Sequence, residues 1–207
     1  MVCCVIMLNP DCSPTNLLPF DGELFYYGKI FPATQADFYF GNLIDSIDWK
    51  PDEVFMFGKH IQTKRKIAWY ADGDFPYRYS GSIKTALPFT PVLRELKTYS
   101  ENLSSERYNS CLANLYHDGR EGMAWHSDAE PELKKRGAIA SLSFGAERKF
   151  SFKHKCSGKT VSLILEHGSL LVMAGSIQEN WLHRLPPTAR ITAPRINLTF
   201  RCVNTQD

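Results

Sequence analysis

The sequence has no C-x-x-C pair. Its six cysteines (Cys3, Cys4, Cys12, Cys111, Cys156 and Cys202) are scattered over 207 residues. That argues against a zinc ribbon and leaves no evident disulfide framework. No apolar run approaches the roughly 18 residues that a membrane helix needs. The opening MVCCVIML is apolar, but the first basic residue is Lys29, so the charged leader of a secretory signal is missing. There is no internal repeat and no low-complexity segment. Strong net charge is lacking too: +2, with a pI near 8.2, permits a nucleic-acid partner without arguing for one. These absences predict a reduced intracellular chain, nuclear in a eukaryote or cytoplasmic in a bacterium, monomeric and with no membrane association.

What is present is ordinary in bulk and uneven in detail. Hydrophobic residues make up 43% and charged residues 22%, as in soluble globular proteins. Aromatic content, at 13%, is on the rich side. The length suits one domain over residues 1–207 with a real core. Basic residues cluster in KHIQTKRK (59–66), KKR (134–136) and ERKFSFKHKCSGK (147–159); such runs are either solvated faces or phosphate contacts.

Residues 1–20 carry three prolines and no period, and read as a loose leader. Helical spacing of apolar residues, among them Phe38, Leu43, Ile44 and Ile47, predicts a helix over 31–49. EVFMFG reads as a strand, and KIAWY with FPYRYSG, joined through D-G-D, as a hairpin. TPVLRELKTYSENL (90–103) reads as a second helix with Pro91 in its first turn. About residue 108 the character changes. CLANLYHD, AIASLSFG, RKFSFKHK, TVSLILEHG, SLLVMAG, NWLHRLP and RINLTFRCV alternate as seven short strands, the pattern of a β-sandwich or barrel. The fold class expected is mainly β with flanking helices.

One stretch fits neither a core helix nor a plain loop: MAWHSDAEP, residues 123–131. His126 and Asp128 are either part of a polar turn or two members of a metal clamp. A non-haem Fe(II) centre takes two imidazoles and one carboxylate on one face of an octahedron, leaving the other face open. That requires a second histidine. His183 in NWLHRLP is the candidate; His154 lies in a Lys-rich strand that reads as solvated, and His167 precedes Gly168 at a turn.

The last strand adds a second element. In PRINLTFRCV, strand periodicity puts Arg195, Asn197, Thr199 and Arg201 on one face and Ile196, Leu198 and Phe200 on the other. Two arginines facing an interior need an anionic partner. Their separation, roughly 20 Å by strand rise, leaves a gap of about 8 Å once each side chain reaches inward, enough for a five-carbon dicarboxylate. Asn114 and Tyr116 share a face of CLANLYHD as further donors. The alternative is a surface strand whose arginines pair with nearby acids.

The stretches NLYHDGREGMAWHSDAEPEL, IASLSFGAERKFSFKHK, LEHGSLLVMAG, NWLHRLP and APRINLTFR together resemble the AlkB family of Fe(II)- and 2-oxoglutarate-dependent dioxygenases, closest to the members that repair alkylated nucleic acid. The resemblance spans about residues 54–203. It implies a double-stranded β-helix (jelly-roll) core at about 108–203, preceded over about 21–107 by helices and a nucleotide-recognition lid. It implies iron on His126, Asp128 and His183, and 2-oxoglutarate held by Arg195 and Arg201 with Asn114, Tyr116 and Asn197. RKIAWYADGDFPYRYSG resembles the lid, making Trp69, Tyr70, Tyr77 and Tyr79 candidates to stack on an extruded base; the alternative is core packing of a hairpin. A base within a stack cannot reach a buried metal, so it must be flipped and held, with stacking worth about 1–3 kcal/mol per base. Glu130 matches a family acid at the base, while Ala129 departs from an acid found there in several relatives. Phe57 in VFMFGK matches an intercalating finger, or is an edge-strand residue. Arg65, Lys66, Lys153 and Lys155 become candidate phosphate contacts, which position without reading sequence.

The function implied is oxidative demethylation of 1-methyladenine or 3-methylcytosine in DNA, yielding formaldehyde, succinate and CO2. The rivals are the same chemistry on RNA or on a protein side chain, and a non-catalytic nucleic-acid-binding module.

Overall fold

The computed structural model describes residues 14–56, 59–73, 77–79, 82–84 and 86–204; within these, residues 53–56, 59–61, 77–79 and 82–84 are described by backbone path alone. The strands are β1 (Glu23–Lys29), β2 (Lys50–Met56), β3 (Lys59–Ala71), β4 (Tyr77–Tyr79), β5 (Ser82–Lys84), β6 (Leu87–Pro88), β7 (Ser110–Tyr116), β8 (Met123–His126), β9 (Ile139–Gly145), β10 (Arg148–His154), β11 (Thr160–Leu165), β12 (Ser169–Ala174), β13 (Trp181–Leu185) and β14 (Arg195–Arg201). The helices are α1 (Ala33–Ser46), α2 (Pro91–Ser104) and the short α3 (Ile177–Asn180).

Among the described residues, two antiparallel sheets form the jelly-roll. The larger runs β1-β12-β9-β14-β7-β3-β2, with β6 added in parallel to β3; the smaller runs β11-β10-β13-β8. The predicted alternation of β14 decides the layering. Ile196, Leu198 and Phe200 join Ala113 and Leu115 of β7 and Leu142 and Phe144 of β9 under α1 and α2. The opposite face of the large sheet meets the small one. There Leu24, Ile139, Leu171 and Met173 pack on Phe152, Leu165 and Trp181, and beyond them the polar face of β14 lines a cavity.

The helices form where pattern and caps agree. α2 begins at Thr90, whose hydroxyl accepts the Leu93 N–H at 3.3 Å, with Pro91 in the first turn. In α1 the buried stripe is Ala36, Tyr39 and Leu43, spaced by three and four residues as one helix face requires. α1 is shorter than the predicted 31–49, and Phe38 is 62% exposed: the stripe turns about Tyr39, putting its neighbour on the solvent side. Gly168, at φ +74, makes the turn between β11 and β12 that a side chain would strain.

Three readings of the chain are corrected. Among the described residues, KIAWY and FPYRYSG do not pair with each other. β3 pairs with β2 and β7, while β4 pairs with β5, because the long β3 finds its ladder partners inside the large sheet. The larger sheet therefore runs across the division drawn at residue 108. Residues 14–20 are not loose. Asn16 Oδ1 accepts the N–H groups of Leu18 and Leu24, and Phe20 O accepts the Trp181 indole N–H. The MAWH half of the unusual stretch, neither core helix nor plain loop, is a strand, β8, paired among the described residues with β13.

Candidate metal and cosubstrate site

β8 and β13 pair so that His126 stands opposite His183, and the two rings meet edge to face with centroids 4.2 Å apart. Asp128, two residues past the end of β8, turns back between them. Its Oδ1 lies 3.7 Å from His126 Nε2 and 3.8 Å from His183 Nε2. Ligand atoms of all three residues lie within 4.8 Å of one another, the group among the described residues able to hold a metal ion. Each group is presented in the form a metal requires. His126 Nδ1–H donates to the backbone oxygen of Ala124 at 2.9 Å, which turns the Nε2 lone pair toward the cluster. Burial pushes the His183 imidazole down to about 3 against the opposing pull of Asp128, so it is a neutral ligand at pH 7. Burial alone would raise the Asp128 carboxyl, but Arg201 above all, then the two histidines, hold it well below the usual carboxylate range.

The same cavity carries the second constellation. Asn114, Tyr116, Arg195, Asn197 and Arg201 line it together with His126, Asp128 and His183. Register accounts for this: on adjacent strands Arg195 is opposite Tyr116, and Asn197 opposite Asn114, so one face of β7 and β14 supplies all five. The two arginines differ. Arg201 donates from Nη2 to Asp128 Oδ2 at 2.8 Å and so stands beside the triad. Arg195, at the other end of β14, is 2% exposed and donates from Nη2 to the Ser143 hydroxyl at 2.9 Å. Its guanidinium lies 5.5 Å from the Tyr116 ring centroid. Its Nε and Asn114 Oδ1 are buried without a hydrogen-bond partner among the described residues. Burial lowers the Arg195 pKa to about 10, yet it stays cationic. A buried guanidinium with a hydroxyl for its partner calls for a carboxylate. The donor set, two imidazoles with one carboxylate, suits Fe(II) with open positions, and the buried cation nearby fits a dicarboxylate cosubstrate.

The other predicted residues divide. Glu130 is half-buried and borders both this cavity and a neighbouring one of about 380 Å³ that shares Asp128 and Arg201 with it. Lys153 is exposed on the outward side of β10, and Lys66 is half-buried on β3. The side chains of Tyr77 and Tyr79, and Phe57 as a whole, lie outside the described residues. Three assignments are corrected. Tyr70 is a core residue under the helices, its hydroxyl accepting the Asp48 N–H at 3.2 Å. Trp69 points the other way but packs among Ile67, Ala71, Ala86, Leu112 and Val203. Both are buried because β3 is an inner strand of the sheet, not part of a lid. Arg65 is no surface phosphate contact: it is buried in an ion pair with the fully buried Asp52, and its guanidinium stands 6.0 Å from the Tyr116 ring centroid.

Lys155 is exposed, but its ammonium is engaged with the carbonyls of Gln178 and Glu179 at 2.9 Å each. His154 is not solvated. It is buried against Phe20 and Trp181.

Sequence reasoning missed Arg148 and Gln178. Arg148, 1% exposed, donates to the carbonyls of Asp118, Gly119, Glu121 and Pro186, tying the β7–β8 loop to the exit of β13. Gln178 accepts the Asp128 N–H. Arg148 shares the strand face of Phe150 and Phe152, an alternation that could have placed it inward, whereas Gln178 carries no periodic or motif signal.

The family model of the 2OG-Fe(II) oxygenase superfamily matches residues 23–201. Human alpha-ketoglutarate-dependent dioxygenase alkB homolog 3 is 38% identical over 201 residues, covering 92% of this chain and 68% of its own length. Mouse DNA oxidative demethylase ALKBH2 is 38% identical over 186 residues, covering 84% of this chain and 78% of its own. The solved structure of OsALKBH1 superposes with a TM-score of 0.56 at 17% identity, over 91% of this chain and 100% of that one, a likeness of fold.

Proposed function

From the premise that this chain belongs to the AlkB family of the 2OG-Fe(II) oxygenase superfamily, we propose that it is an oxidative demethylase of N-alkylated bases in nucleic acid, with DNA carrying 1-methyladenine or 3-methylcytosine as its substrate. The observation that carries this reading is the shared cavity: a His126–Asp128–His183 cluster and, along one wall, the buried cation Arg195, with no carboxylate partner among the described residues.

His126, Asp128 and His183 would hold Fe(II), which with 2-oxoglutarate and O2 supplies the oxidant for an N-methyl carbon, leaving succinate, CO2 and, from the hydroxymethyl product, formaldehyde. The chain's own contribution is placement. Arg195, with Tyr116 and Asn114 beside it, would grip the far carboxylate of the cosubstrate. Arg201, already bonded to Asp128, would set its reacting end at the cluster, with Asn197 between. Arg201 also keeps the Asp128 carboxylate ionised and aimed, so the ligand set is assembled before anything binds. Glu130, at the border of the two cavities, is suited to accept a hydrogen bond from the exocyclic amine of a flipped base. Lys66 and Lys153 are the phosphate contacts this reading retains, and Tyr77, Tyr79 and Phe57 its candidates for holding the base and filling the gap. The relatives' names supply the substrate class: DNA oxidative demethylase for ALKBH2.

The test is a single-turnover assay with Fe(II), 2-oxoglutarate and O2 on a 3-methylcytosine oligonucleotide, as single-stranded DNA, duplex DNA and RNA, read by mass. Loss of one methyl mass from a DNA form, absent in His126→Ala, is expected. Succinate without methyl loss on any form would keep the site and overturn the substrate. Preferential loss from RNA would move the substrate to the nearest rival.

A further inference from the structure

Asp128 lies beyond the last hydrogen-bonded residue of β8, so strand pairing does not fix its backbone. Two contacts do. Arg201 grips the carboxylate, and Gln178, on α3, accepts the Asp128 backbone N–H through its side-chain oxygen at 2.9 Å. The donor on Asp128 assigns the amide orientation: oxygen toward the loop, nitrogen toward Met173 Sδ at 3.7 Å. α3 is itself pinned, because Lys155 Nζ donates to the carbonyls of Gln178 and Glu179 and reaches the Ser127 hydroxyl at 3.4 Å. α3 leads directly into β13 and His183. One short segment therefore carries both a ligand and the group that holds its neighbour's backbone.

We propose that Gln178 is a positioning residue for the metal centre: its amide oxygen fixes the Asp128 backbone so that the carboxylate meets the two histidines without having to be ordered on binding. The inference rests on the iron-site reading above. Outer groups that hold a metal ligand in place are typically worth about 10–100-fold in metal affinity.

The experiment titrates metal-free protein with Mn(II) by calorimetry, comparing wild type with Gln178→Met, which removes the amide, and Gln178→Glu, which keeps an acceptor oxygen. Expected are Mn(II) binding weakened about 10-fold in Gln178→Met and most of that loss recovered in Gln178→Glu. The metal-free melting temperature should stay within about 3 °C of wild type, less than ~1 kcal/mol for a chain of this size. With saturating metal, the KM for 2-oxoglutarate should be unchanged. Wild-type affinity in Gln178→Met would overturn the proposal. So would failure of Gln178→Glu to recover, or an affinity loss that only follows loss of fold. Wild-type protein that binds no Mn(II) would instead overturn the iron-site reading, and this inference with it.

Discussion

His183 and His154 sit on neighbouring strands of the small sheet, both buried, both against aromatic rings, and each with an aspartate oxygen within reach: Asp128 at 3.8 Å and Asp21 at 3.3 Å. Only one is placed as a ligand. Around His183 the lone pairs converge: a second imidazole faces it, and the carboxylate is buried and kept ionised by Arg201. Around His154 they do not converge. Nδ1 accepts the Ser157 N–H at 3.0 Å, and Asp21 is largely exposed to water. Burial and an acidic neighbour therefore do not make a metal site; convergence of unspent donors does. The same contrast separates Arg148, satisfied by four carbonyls, from Arg195, which has a hydroxyl.

Substitutions can break this comparison, the largest effect first. Asp128→Ala and His183→Ala should abolish methyl loss, a fall well beyond the ~10–100-fold cost of a supporting residue. His154→Gln should keep its activity per folded molecule and lose only stability; equal losses of activity at both histidines would erase the distinction. Next, Arg195→Met should raise the KM for 2-oxoglutarate about 30-fold or more, the lower end of ~2–5 kcal/mol for removing one partner of a buried charge pair. Its ligand-free stability should not fall, since no buried carboxylate is orphaned. Arg148→Met should do the reverse, costing about 3 kcal/mol in urea unfolding through stranded carbonyls. A third test is pH. The folded pKa of His183 lies below its unfolded value, down to about 3. The unfolded chain therefore binds the extra proton, and stability is lost as pH falls below about 6.5, by at most ~1.4 kcal/mol per pH unit for this group. Urea midpoints of metal-free protein from pH 7 to 4.5 should show the slope, and His183→Phe should flatten it. The smallest effect is expected at Tyr70→Phe. It should cost about 1 kcal/mol, for one hydrogen bond to the backbone, and leave demethylation unchanged; a large loss of rate would return Tyr70 to the substrate.

Much of the site is legible along the chain because its spacing is local. H-x-D is written within one turn of backbone, and the alternation of RINLTFR states which residues face inward, since strand geometry leaves two sides. What could not be read is partnership. Trp69 and Tyr70 look like a lid because they are aromatic and near a D-G-D turn, yet β3 is claimed by β7 across the sheet. Arg65 belongs to a basic run, but Asp52 on the adjoining strand captures it. Lys155 likewise spends its charge on α3.

By itself, the sequence determined the strand faces, the helix stripes and which side chains meet in the cavity as candidate metal and cosubstrate ligands, because these depend on periods of two and 3.6 and on ligand chemistry. The tertiary structure alone decided which donors are spent and which are left. That choice is made where segments far apart in the chain meet: β8 with β13, Arg201 with Asp128, and Gln178 with the loop that no strand holds.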